Sequence, residues 1–505
     1  MSSLFVPIDS SRAYQLPSEM LERAIDTYIN TLNNEQREAV IDIAFGPTDT
    51  ENYSTDTTVA YIVIGPPGTG KTFVICCGAI LYLALRNVHR RRRRQVIIAT
   101  FTHEAANRAL EILANSFSAD PRIVKRVLPS TIVPRVRRDY LERYREYIIS
   151  YTNLRSLGWR QRQEYSRARI FITTIDSIDK VNPFIWRPLL IFDEASQISD
   201  PLFAKAIYGV VKNGRDLDYV VIVGDPEQLQ FVSHQPDLKE SVIRYLIERR
   251  RIYNVHRLRV QYRMHPKICE LINAMRQILG SPDVTGYPLE PDASTNRTLA
   301  DDYGMPRYLA NYILNQIVSP NNVVAFVDTS NVDTRPLESG QWFNPMEARL
   351  ALAIWKAFSE AYNNRIQNSM ILSPYTEHIS LIERLATEVN IQVPVITIDR
   401  AQGREYDLVV ISCVRHNNDG FIGFLQEEEE RMYVACSRAR RKLVIICHRD
   451  TFELSGSRIF RTLFRFIDTN IRGVCNIRLN KANFDSIVRE QLGDTLVDYN
   501  RDLSL

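Results

Sequence analysis

The sequence predicts an α/β protein with two domains of similar build, each a parallel sheet covered by helices, and three observations predict it. From about residue 31 to 258, β-type apolar runs alternate with helical stretches. A second series of the same kind occupies about 259 to 450. A glycine-rich turn joins the first of these strands to the first core helix.

The strands of the first series are Val59–Ile64, Val96–Thr100, Ile170–Thr174, Leu189–Phe192 and Tyr219–Val223. Those of the second are Val323–Val327, Ser369–Leu372, Val395–Ile398, Val409–Cys413 and Leu443–Cys447. Residues 1–30 read as an N-terminal arm with one helix, Ser18–Thr31, and 451–505 as a C-terminal tail. Ser281–Asp301, rich in Pro, Asp, Asn, Ser and Thr, reads as an irregular loop.

The composition of the 505 residues, 45% hydrophobic and 24% charged, is that of an ordinary soluble protein, and a net charge of +4 says little about partners. The seven cysteines are scattered, with neither a zinc-binding spacing nor a disulfide framework, which fits a reducing intracellular compartment, cytoplasm or nucleus. No secretory signal is visible, and the longest apolar run, near Val74–Leu85, is too short to span a bilayer. The expectation is a monomer without membrane contact.

Between about 115 and 169 the alternation breaks, and thirteen Lys and Arg stand against five Asp and Glu, with five tyrosines and Trp159 interleaved. Basic groups neutralise phosphates and rings stack bases, so the stretch reads as a nucleic-acid surface. It reads equally as a solvated helical hairpin whose tyrosines pack its own seam. Arg90–Arg94 is an exposed loop or a localisation signal, and the acidic run Glu427–Glu430 a solvated helix start.

The chemistry begins at Gly65-Pro66-Pro67-Gly68-Thr69-Gly70-Lys71-Thr72, between the strand Val59–Ile64 and a helix over Phe73–Leu85. This is a P-loop for a nucleoside triphosphate: backbone N–H groups curl around the β-phosphate at a helix N-terminus. Lys71 reaches the β/γ-phosphates and the Thr72 hydroxyl holds Mg²⁺. At the end of Leu189–Phe192, Asp193 is placed to bind the metal and Glu194 to orient and deprotonate the attacking water. Gly224-Asp225-Pro226-Glu227-Gln228-Leu229 follows a third strand, and the Gln228 amide suits a γ-phosphate and a water.

The order of these elements resembles superfamily 1 helicases, specifically the up-frameshift-like branch that includes the nonsense-decay helicase, senataxin and the immunoglobulin mu-binding helicase. The resemblance covers about residues 31 to 450. It starts at Leu32-Asn33-Asn34-Glu35-Gln36, similar to the family's adenine-reading motif, with Gln36 the base contact. Gln261-Tyr262-Arg263-Met264-His265-Pro266 is specific to this branch; the resemblance implies that Tyr262 stacks on adenine and Arg263 contacts the γ-phosphate. Thr397-Ile398-Asp399-Arg400-Ala401-Gln402-Gly403-Arg404-Glu405 resembles motif V, with Gly403 and Glu405 facing the nucleotide. Val434-Ala435-Cys436-Ser437-Arg438-Ala439-Arg440 resembles motif VI, with Arg438 the arginine finger. That arginine belongs to a different domain from Lys71, so the resemblance implies hydrolysis by domain closure.

The family's fold is then two RecA-like P-loop NTPase domains with parallel sheets, here with a basic inserted subdomain at about 115–169. Its cofactors are ATP and Mg²⁺, its partner single-stranded RNA or DNA, and its expected movement 5′ to 3′. An ATP-switched clamp or remodelling factor without processive unwinding is the alternative. Candidates for strand contact are Thr102, Thr173, Thr174, Ser373 and Tyr375 of Ser373-Pro374-Tyr375, and Thr397; each Thr could equally serve as strand residue or helix cap. The chain departs from the pattern at Gln230-Phe231 (usually prolines), Ala401 (usually aromatic), His103 (usually Asn) and Asn107 (usually Asp).

Overall fold

The computed structural model describes residues 29–46, 59–86, 94–151, 163, 166–181, 185, 187–212, 216–229, 241–248, 254–280, 287–332 and 342–496. They form two compact units, one within 1–226 and 230–259, the other within 227–229 and 260–505. The helix expected over 18–31 lies almost wholly outside the described residues, as do Gln230 and Phe231.

The first unit is built on eight strands: β1 (Val59–Ile64), β2 (Val96–Thr100), β3 (Val124–Pro129), β4 (Ile148–Tyr151), β5 (Ile170–Thr174), β6 (Leu189–Asp193), β7 (Val220–Gly224) and β8 (Val255–Arg257). Their order is β4-β3-β5-β2-β6-β7-β1-β8, and every pairing is parallel. All five residues of β2, β5, β6 and β7 are buried, as expected of parallel strands covered on both faces. The helix Lys71–Arg86 packs against the helix Asn34–Phe45 at Gly78, where a Cβ would lie 2.6 Å from Ile43 Cγ2; only glycine allows that approach.

Register positions the site. Ile64 pairs with Gly224, and Thr100 pairs with both Asp193 and Thr174, so the carboxyl ends of five strands make one rim. Ligands of open parallel sheets bind at such rims.

The described part of the basic insertion does not form the helical hairpin weighed from sequence. It contributes β3 and β4, which extend the sheet at one edge. Tyr140 and Tyr144 are buried in the first unit's core with Tyr147 packed against it, so these rings are structural rather than base-stacking. Arg126 is fully buried, and Arg122, Arg137 and Arg138 pair with Asp120, Asp139 and Glu142. Arg143, Arg145 and Arg167 are exposed, and Trp159 lies outside the described residues.

In the second unit a short parallel pair, β9 (Val260–Gln261) with β10 (Glu290–Pro291), precedes a six-stranded parallel sheet. Its strands are β11 (Val324–Asn331), β12 (Ser369–Ser373), β13 (Val395–Thr397), β14 (Tyr406–Ser412), β15 (Ala439–Cys447) and β16 (Val474–Asn480), in the order β13-β12-β14-β15-β11-β16. Alternate residues of β15 enter opposite cores: Leu443 and Ile445 one, Val444 and Ile446 the other.

The expectation of a C-terminal tail from 451 is corrected here. β16 pairs with β11, and the helices Arg458–Thr469 and Lys481–Leu492 bury Phe460, Leu463, Phe464, Phe484 and Ile487 in the second unit's cores. The loop expected over 281–301 contains β10 and the start of a helix, Leu299–Tyr303, capped by Thr298 and Asp301. All seven cysteines are buried. Among the described residues no helix is long and apolar enough to cross a membrane.

Candidate active site

The P-loop leaves β1 with the Gly65 N–H donating to Gly224 O at 3.0 Å, which ties it to the neighbouring strand end. Gly68 and Gly70 take φ of 83° and 80°, the left-handed conformation that turns successive N–H groups toward one point. Thr69 Oγ1 donates to Pro66 O at 2.9 Å, closing the loop. Lys71 Nζ lies inside it, donating to the carbonyl oxygens of Gly65 and Pro66. A cation folded onto its own loop by carbonyls is poised for a stronger acceptor such as a phosphate.

Gln36, expected to contact adenine, lies against this loop. It is buried, its Nε2 donates to Thr69 O at 2.9 Å, and its Oε1 accepts from Asn33 N at 3.3 Å. Both ends of the amide therefore serve the helix cap and the P-loop backbone.

Asp193 and Glu194 meet the P-loop helix at the rim. Thr72 Oγ1 donates to Asp193 Oδ2 at 3.1 Å, and Asp193 Oδ1 accepts from Glu194 N at 2.9 Å. Burial raises the Asp193 pKa, while the Lys71 charge, the Glu194 N–H and the Thr72 hydroxyl pull it back. A desolvated carboxylate beside a hydroxyl is a hard-oxygen pair that suits Mg²⁺, which completes its shell with phosphate and water. Glu194 is held in the left-handed region at φ 57° and ψ 40°, an uncommon conformation for a side chain beyond glycine and Asn. Its Oε2 accepts from Thr102 Oγ1 at 3.0 Å.

The second unit holds the other expected ATP residues. Arg263 Nε donates to Glu405 Oε2 at 2.7 Å, with Arg440 4.0 Å from the same carboxylate's other oxygen. Tyr262 is 38% exposed. Gly403 sits at φ 77° in the turn before β14. Gln228, with Glu227 and Leu229, belongs to this unit, where Leu229 enters the core.

Arg438, expected to project as a finger, is folded back. It is buried, with Nε on Val434 O (2.9 Å), Nη1 on Arg404 O (3.1 Å) and Nη2 on Ser437 Oγ (2.8 Å). Two carbonyls and a hydroxyl thus accept from this buried guanidinium.

The proposed strand contacts divide. Thr102 is half-buried at the rim and caps the helix His103–Glu111, accepting from Ala105 N at 3.1 Å. Thr174 bonds Ser177 at 3.3 Å, and Thr397 accepts from Arg400 N at 3.3 Å. Thr173, Ser373 and Tyr375 are buried, and their hydroxyls find no partner among the described residues. Two departures from the family pattern prove to be linked: His103 Nδ1 and Asn107 Oδ1 both lie against the buried Arg126 guanidinium, at 2.8 and 3.4 Å. Ala401 is buried in the second unit's core.

Sequence reasoning missed one constellation. The Arg415 guanidinium lies 3.4 Å from the Trp342 ring centre and 4.8 Å from that of Phe421, and Tyr375 packs between Trp342 and Phe424. Its members are scattered over 342–424, and no local spacing announces them.

Two protein-family models, each described as an AAA domain, match residues 51–234 and 238–450. The chain belongs to the superfamily 1 helicases of the up-frameshift and senataxin type. "DNA replication ATP-dependent helicase/nuclease DNA2" of Bos taurus is 29% identical over 401 residues, 76% of this chain and 35% of the relative. "Uncharacterized ATP-dependent helicase MJ0104" of Methanocaldococcus jannaschii is 32% identical over 263 residues, 51% of this chain and 35% of that one. "DNA-binding protein SMUBP-2" of Rattus norvegicus is 27% identical over 254 residues, 48% and 23%. The chain thus spans about a third of the length of the first of these superfamily 1 relatives. Its two parallel sheets are the paired RecA-like sheets of such helicases.

Proposed function

We propose that this chain hydrolyses ATP to move along single-stranded RNA or DNA inside the cell, with a 5′-to-3′ sense as in its branch of the family. The observation that carries the reading is the convergence of Lys71, Thr72, Asp193 and Glu194 on one rim of the first sheet, within 3.1 Å from Thr72 to Asp193. Lys71 leaves its loop carbonyls for the β/γ-phosphates, and Glu194 orients and deprotonates the attacking water. Thr72 and Asp193 would hold Mg²⁺, which supplies charge neutralisation at the phosphates. Arg263 and Arg438 supply positive charge to the transferred phosphoryl group, and each must exchange its present partners to do so.

The deciding experiment measures ATP hydrolysis with and without single-stranded RNA and DNA, beside Lys71→Ala and Glu194→Gln. Stimulation by a strand, lost in both variants, supports the motor and names its polymer. Hydrolysis indifferent to either strand overturns it. A strand-displacement assay on the same preparations then separates unwinding from an ATP-switched clamp.

A further inference from the structure

Thr102 stands between the two activities of the proposed motor. Its Oγ1 donates to Glu194 Oε2 at 3.0 Å and accepts from Ala105 N at 3.1 Å. A threonine hydroxyl has one proton. That proton is committed to the residue proposed to activate water. The cap fixes where the oxygen sits, and Thr100 Oγ1, donating to Thr102 O at 2.7 Å, fixes the backbone beside it. Thr100 in turn is level with Asp193 in the sheet, so the two strand ends hold Thr102 and Glu194 in register. Thr102 is half-buried at the rim, at the position where the family resemblance implies a strand contact.

Resting on the reading of this chain as a strand-dependent ATPase, we infer that Thr102 is a positioning residue through which a bound single strand releases Glu194. A strand phosphate and the Glu194 carboxylate compete for the same proton. Without a strand, the hydroxyl holds Glu194 turned toward the end of β2. When a phosphate takes the proton, Glu194 loses that anchor and turns to the water it serves. By linkage, the Glu194 carboxylate must weaken strand binding in the nucleotide-free protein by the factor with which the strand weakens its hold.

The test uses the full chain with oligo(dT) and oligo(U). Thr102→Val should raise strand-free kcat about five- to tenfold, the worth of one charge-assisted hydrogen bond, without changing the KM for ATP. Strand stimulation should fall by the same factor, and Thr102→Ser should behave as the parent. Because valine also removes a helix cap, a second measurement avoids the cap. Glu194→Ala should tighten strand affinity about three- to tenfold, read by fluorescence anisotropy without nucleotide. A Thr102→Val protein with the parent's stimulation ratio overturns the inference while leaving the motor intact. So does a kcat lowered equally with and without strand, or an unchanged strand affinity in Glu194→Ala. Parent hydrolysis that ignores both polymers removes the motor reading itself, and this inference with it.

Discussion

The two units differ in how they hold the residues proposed to act on ATP. In the first, Thr72, Asp193, Glu194 and Thr102 are already joined by hydrogen bonds of 2.9 to 3.1 Å. In the second, Arg263 is ion-paired to Glu405 and Arg438 is folded back onto its own helix and turn. Carboxylates and hydroxyls can satisfy one another at the rim of a sheet. The two guanidinium groups are held differently, Arg263 by a carboxylate and Arg438 by two carbonyls and a hydroxyl. The first set is joined residue to residue at one rim, whereas each arginine of the second is held by its own neighbours.

The sharpest way to break this contrast is at Arg438. Arg438→Ala should lower strand-stimulated hydrolysis by about 10³-fold or more, the worth of an arginine finger. A fall below tenfold, measured at saturating ATP, would make it a purely structural arginine. Glu194→Gln should cost about 10²- to 10⁴-fold in kcat with ATP affinity preserved, by nucleotide-binding titration. Loss of affinity instead would mean that the first set is less preorganised than its hydrogen bonds imply.

A smaller effect tests the second unit's interior. Ser412 Oγ bonds both Glu347 Oε2 (2.8 Å) and His378 Nε2 (3.0 Å), all three buried. Burial pushes Glu347 up to about 7 and His378 down to about 3. The raised carboxyl binds more protons folded than unfolded between about 4.5 and 7, so its contribution to stability falls as pH rises there. The histidine binds fewer when folded between about 3 and 6.5, so its contribution rises with pH. The two oppose each other where the windows overlap. Glu347→Gln should therefore unmask a gain of about 2 kcal/mol from pH 5 to 6.5 that the parent lacks, read from denaturant midpoints.

Gln36→Ala removes a cap and a P-loop brace, and should cost about 1 kcal/mol and raise the KM for ATP. If discrimination between ATP and GTP is also lost, the amide leaves Thr69 to read the base. Arg137→Gln breaks only an exposed pair with Asp139 and should change stability by less than about 0.5 kcal/mol.

Much of this was legible in the sequence because phosphate chemistry needs residues contiguous along the chain: Gly65–Thr72 and Asp193-Glu194 were readable for that reason. Strands β2 and β5, buried throughout and apolar up to their terminal threonines, announced themselves. β3 did not, since Lys125 and Arg126 interrupt it; their burial is satisfied by the carbonyl of Glu146, distant in the chain, and by that of the adjacent Val127. β16 alternates buried and exposed residues from Cys475 to Asn480, a signal present in Val-Cys-Asn-Ile-Arg-Leu-Asn and overlooked in a chain of fully apolar strands. Motifs name residues but not the neighbours they take in the fold, such as Thr69 for Gln36 and Val434 and Arg404 for Arg438.

The order of strands in the first sheet also sets a schedule. β1 pairs only with β7 and β8, so the P-loop strand at Val59 waits for Val220 to be made. At ~5–20 residues per second, the intervening 160 or so residues take roughly 10–30 s of synthesis. Throughout that time a six-residue apolar strand has neither of its sheet neighbours to pair with. Production in cells should therefore depend on chaperones holding the first 220 residues, and a stall before β7 should yield aggregate rather than a partly active enzyme.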